Sequence, residues 1–139
     1  MNTFRVLLVK FVMTFIVAMV AFSFLETNPA GLVVLVALIA TAGNYLVGDL
    51  HILPVRGNMT ASLGNGLLGA LLAYIVSLIS VTFNTSFAAL FVFAILVAVG
   101  EYFFHPYLQR VENVAPGPGP AQEQEPPPEQ EGGDQQNQG

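Results

Sequence analysis

The sequence predicts an all-α fold: four transmembrane helices in an up-down-up-down bundle, followed by a disordered, acidic, Pro- and Gln-rich C-terminal tail. Three observations lead there. Of 139 residues, 54% are hydrophobic and only 9% charged, whereas an ordinary soluble domain is about one quarter charged. Four apolar stretches approach the length of about 20 residues that a helix needs to cross about 30 Å of hydrocarbon. The composition then changes abruptly near residue 114, which divides the chain into a membrane domain, 1–114, and a tail, 115–139.

The first span is expected at about 4–25. It contains Lys10, close enough to the helix start for its stem to snorkel toward water. Arg5 and Lys10 before an apolar run, with Ala21 and Ser23 following, also fit a cleavable signal peptide. Phe24 after the small residues and three further spans favour retention as an anchor. The second span, 29–48, has no charge until its end, and Pro29 suits a first helical turn. The third, about 63–81, is the least apolar because it carries Gly64, Asn65, Gly66, Gly69, Ser77 and Ser80. The fourth, about 87–104, is expected to stop before Pro106, since the residue preceding a proline is disfavoured from helix.

Charge is sorted by position. In the membrane domain Arg5, Lys10, Arg56 and Arg110 balance Glu26, Asp49, Glu101 and Glu112, so the net charge of −5 resides in the tail. Its acids Glu123, Glu125, Glu129, Glu131 and Asp134, interspersed with proline, have almost no apolar partner to bury and favour disorder. No basic tract exists that would neutralise several phosphates, which excludes nucleic acid as a partner. The chain has no cysteine, which removes disulfide, thiolate and iron–sulfur chemistry.

A cytoplasmic start places all four Lys and Arg residues inside, with the 49–62 loop and both termini cytoplasmic, as the positive-inside rule requires. Localisation is then the cytoplasmic membrane, multi-pass, with the lipid bilayer as the obligatory partner. Asn58-Met59-Thr60 and Asn84-Thr85-Ser86 match glycosylation patterns, but their predicted positions favour a turn and a helix cap.

Small residues let helices approach closely in lipid. Gly69, Ala73 and Ser77, with Gly66 alongside, form one such face. Asn44 and Gly48 repeat the spacing on the second span. These are expected to face each other within the bundle, a homo-oligomer contact being the alternative, and Asn44 is expected to hydrogen-bond across helices.

The remaining polar candidates are Lys10, Asp49, His51, Arg56, Glu101 and His105, expected as one layer at the cytoplasmic interface. Asp49 opposes the helix macrodipole at its predicted C-terminus. Gly48 is expected to end that helix in a left-handed conformation, with Asp49 and Glu101 held by Lys10 or Arg56. Glu101 and His105, one turn apart, together with Asp49 and His51, also suit a divalent metal, although no metalloenzyme motif is present. No ionisable residue is expected near the midplane, which weighs against a proton relay or a drug–proton antiporter.

The stretch Asn44-Tyr45-Leu46-Val47-Gly48-Asp49-Leu50-His51-Ile52-Leu53-Pro54, with Gly57-Asn58, Thr60-Ala61 and Gly100-Glu101-Tyr102-Phe103-Phe104-His105, resembles the YndM-like family of small membrane proteins of Gram-positive spore-forming bacteria. The resemblance covers about residues 4–110 and implies a four-helix membrane protein with no assigned reaction. It places the tail outside the family core. Asn65 departs from it, standing where members often carry an acidic residue.

Three function classes follow. The first is a non-enzymatic structural or interaction protein of the cytoplasmic membrane, with no catalytic residue and no cofactor, and a cytoplasmic or membrane protein as partner. The second is a small oligomeric channel or transporter. The third is a membrane-embedded metalloenzyme. The first is expected.

Overall fold

A computed structural model describes residues 2–112, and the predicted tail lies outside them. The described residues form helices and no strand. Helix α1 (Asn2–Met19) continues as a π-helical turn, Val20–Phe24; α2 (Ala30–Gly43) continues as a π-helical segment, Asn44–Ile52; α3 spans Leu53–Ile79 and α4 spans Phe87–Glu112. Three stretches are long and apolar enough to cross a membrane: Thr3–Phe24, Ala30–Ile79 and Phe87–Arg110. The middle one, 50 residues long, folds back on itself.

The reversal occurs at Gly57, whose φ of 79° is the one positive value among the described glycines; a Cβ is disfavoured there. On either side of it the arms pack antiparallel. Gly48 lies against Asn65, Gly43 against Leu72, and Gly69 against Asn44. Helix α4 packs along α3, with Gly66 against Ala94 and Ala98, and closes onto α1 and the π-helical turn that follows it, where Phe22 and Phe93 ring centroids are 4.9 Å apart.

Four boundaries differ from expectation. Pro29 caps α2 instead of entering it, and its carbonyl accepts the Leu32 and Val33 N–H groups. Gly48 does not end its helix in a left-handed conformation. The helix widens into the π segment, where the Leu53 N–H bonds to the Gly48 carbonyl five residues back. That widening turns Asn44, Tyr45, Gly48 and Asp49 to the buried side, consistent with the association of π turns with functional positions. The expected 49–62 loop is accordingly helical except at Gly57.

The fourth helix passes through Pro106 to Glu112 instead of stopping at residue 104. Proline has no N–H to give the carbonyl four residues earlier, which here belongs to Tyr102. Asn58 Nδ2 donates to that oxygen at 2.9 Å, so the orphaned acceptor is satisfied from α3.

Two connections join the other end. Asn28 Nδ2 donates to the carbonyls of Phe22 and Asn84, both at 2.8 Å, and its Oδ1 accepts the Asn84 N–H at 2.7 Å. Ser86 Oγ accepts the Ala89 N–H at 3.1 Å and caps α4. Beneath these connections Ala18, Phe22, Val36, Ala37, Ala73, Phe83, Phe93 and Val97 form an apolar core. Large apolar side chains such as Phe4, Leu67, Ile79 and Phe87 are exposed around the bundle, the inside-out pattern of a protein solvated by lipid.

Candidate functional site

Four ionisable side chains converge in the interior: Lys10 from α1, Asp49 from the π segment, and Glu101 and His105 from α4. All are fully buried. Lys10 Nζ is 2.8 Å from Asp49 Oδ2 and 2.5 Å from Glu101 Oε1, and it sits 5.1 Å from the centre of the Phe104 ring, a cation–π contact. His105 Nε2 faces the other two carboxylate oxygens, Asp49 Oδ1 at 3.1 Å and Glu101 Oε2 at 3.4 Å. One oxygen of each acid thus meets the ammonium and the second meets the imidazole.

The other ring nitrogen has its own partner. Asn58 spends its N–H on Tyr102, so its Oδ1 is presented to His105 Nδ1, 2.6 Å away. The ring therefore donates from Nδ1. Ser62 Oγ donates to the same Asn58 oxygen at 3.2 Å and lies 3.2 Å from Nδ1. With Nδ1–H fixed, Nε2 points at two carboxylate oxygens, and a proton there gives two positive against two negative groups. A neutral cluster is the arrangement with least cost in a low-dielectric interior. Asn65 Nδ2 donates to Asp49 Oδ1 at 3.0 Å and lies 3.3 Å from His105 Nε2.

The expected interfacial layer is thereby changed. Lys10 does not snorkel: it lies seven residues inside the stretch that begins at Thr3, about 10 Å at 1.5 Å per residue, and two acids hold it inward. His51 and Arg56 are exposed and stand outside the cluster; His51 Nδ1 donates to the Leu46 carbonyl at 2.5 Å. Among the packing residues, Gly48, Gly66, Gly69 and Ala73 lie inside the bundle. Ser77 is half-buried and donates to the Tyr74 carbonyl of its own helix at 2.6 Å. Asn44 is fully buried, but neither amide atom has a hydrogen-bond partner, so the expected cross-helix bond is not made.

Asn58, Ser62 and Asn65 were not among the sequence candidates. Their i, i+4, i+7 spacing puts them on one helical face, and that polar stripe in an otherwise apolar stretch is the signal that identifies them. Asp49, Glu101 and His105 each offer a ligand atom within 4.8 Å of the others, the chemistry of a divalent-cation site.

A family model matches residues 1–125, and its description is "Protein of unknown function (DUF2512)". This chain belongs to that family. The match runs past residue 114 and takes in the first part of the predicted tail. No curated protein and no solved structure matches the chain. The family is one of unknown function, and three helical stretches of this chain are long and apolar enough to cross a membrane.

Proposed function

We propose that this member of the family is a four-span, non-enzymatic structural or interaction protein of the cytoplasmic membrane, both termini cytoplasmic, whose buried ion cluster clamps its helices together. One observation carries the reading: each carboxylate oxygen of Asp49 and Glu101 is matched to Lys10 or His105, with none exposed. The arms of Ala30–Ile79 each count as one span because the chain reverses at Gly57. Arg5, Arg56 and Arg110 then share the end of the bundle that the positive-inside rule assigns to the cytoplasm.

The far half supports a non-conducting bundle, because Phe22, Phe83 and Phe93 pack ring against ring there. The channel or transporter reading is favoured by a different observation: Thr14, Thr41 and Asn44 are buried polar side chains whose polar atoms lack hydrogen-bond partners. Reconstituted vesicles separate the two. Vesicles holding the purified chain should pass protons and monovalent cations no faster than protein-free vesicles, while Lys10→Met should lower the thermal midpoint. Flux abolished by Asp49→Asn would establish the transporter instead.

A further inference from the structure

We propose that Asp49, Glu101 and His105 form a binding site for one divalent first-row transition-metal ion, held by Asp49 Oδ1, Glu101 Oε2 and His105 Nε2. The proposal accepts the buried cluster as read above and adds an ion to it.

The spacing fits first. Atoms sharing an ion through bonds of about 2.0–2.2 Å stand about 3–3.5 Å apart, and Nε2 is 3.1 Å from Asp49 Oδ1 and 3.4 Å from Glu101 Oε2. Imidazole with two carboxylates suits zinc, iron or manganese.

The supporting shell is that of a metal site. A ligating histidine uses its second nitrogen to donate to an oxygen, which fixes the tautomer and the ring orientation. Asn58 does this for His105, and its own orientation is set by the Tyr102 carbonyl that Pro106 leaves free. Lys10 takes the remaining oxygen of each acid and aims the other at the imidazole.

One fully buried atom points to a ligand independently. Asn65 Oδ1 has no hydrogen-bond partner, and a half-turn of its amide brings that oxygen to the place now held by Nδ2, beside Asp49 Oδ1 and Nε2, as a fourth ligand. The ion takes the place of the Nε2 proton, and release of a second proton from the cluster keeps it neutral. A groove of about 270 Å³ between α3 and α4 has Ser62 in its wall, and Ser62 touches the His105 ring.

The test uses the untagged full chain, stripped with chelator in detergent and titrated with Co2+. The expected result is one equivalent bound with visible absorption of a low-symmetry nitrogen–oxygen site. His105→Gln should lower affinity more than about tenfold, Asn58→Ala about 10- to 100-fold, and His51→Ala not at all. Variants that fail to fold do not stall the test. The chain has two histidines, so in His51→Ala protein loaded with Cu2+, pulsed EPR coupling to a remote imidazole nitrogen reports His105 alone. No stoichiometric binding by wild type, no imidazole coupling, or unchanged affinity in His105→Gln overturns the proposal. None of these touches the clamp, which Lys10→Met tests without metal.

Discussion

Asn58 repairs the backbone that Pro106 interrupts: its amide donates to the Tyr102 carbonyl at 2.9 Å, and the same side chain then fixes His105 Nδ1 at 2.6 Å. A helix defect in α4 thus sets the orientation of a buried imidazole. Asn58→Ala should cost about 1–3 kcal/mol, the usual range for leaving buried polar partners unsatisfied. In a Pro106→Ala background, where residue 106 regains an N–H for Tyr102, the cost should be smaller. Equal losses in both backgrounds, read by thermal unfolding in detergent, would show that the two positions are uncoupled.

Lys10→Met removes the ammonium between two carboxylates that have no solvent to turn to. Breaking a buried pair in this way costs about 3–5 kcal/mol, and Asp49→Asn in the same chain should recover part of it. If Lys10→Met unfolds no earlier than wild type, the cluster does not hold the bundle together.

Glycine positions separate packing from propensity. A Cβ at Gly66 would press into the Ala94 carbonyl and stand 3.0 Å from the Ala98 Cβ, whereas one at Gly31 would meet nothing within 4 Å. Gly66→Ala should therefore destabilise by about 1–3 kcal/mol. Gly31→Ala should be neutral or stabilising by up to about 1 kcal/mol. The reverse order in unfolding midpoints would mean that α3 and α4 do not meet at this face.

Arg56 and His51 are exposed and lie outside the cluster, so Arg56→Ala should change stability by less than about 0.5 kcal/mol, as surface substitutions do. A loss comparable with that of Lys10→Met would put Arg56 in the charge network.

The proposed orientation has its own measurement. A reporter active only outside the cytoplasm should give signal when inserted at Thr27 and none when fused after Gly139. Signal from the second fusion would reverse the assignment of the C-terminus.

Much of the helical layout was legible because an apolar run needs only composition and length to declare itself. The stretch from Thr3 and the one from Phe87 needed no partner to be recognised. The ends were less legible. Gly48 and Pro106 look like stops by local rules, and each is overridden by a contact distant in sequence: Asn65 closing over Gly48, and Asn58 supplying the bond that Pro106 removes.

By itself the sequence determined that this chain is helical, that its helices are apolar enough for lipid, and that its few charged groups are confined to particular stretches. The tertiary structure alone decided what those charges do. Lys10 near a helix start reads as a snorkelling side chain until α4 and the π segment bring Glu101 and Asp49 to it. His51 and His105 look equivalent until one proves exposed and the other buried among acids. Local propensity and hydrophobicity act over a few turns of one helix. The Coulomb and desolvation terms that set the fate of a buried charge depend on atoms contributed by chain segments 39 to 91 residues away, as from Lys10 to Asp49 and to Glu101.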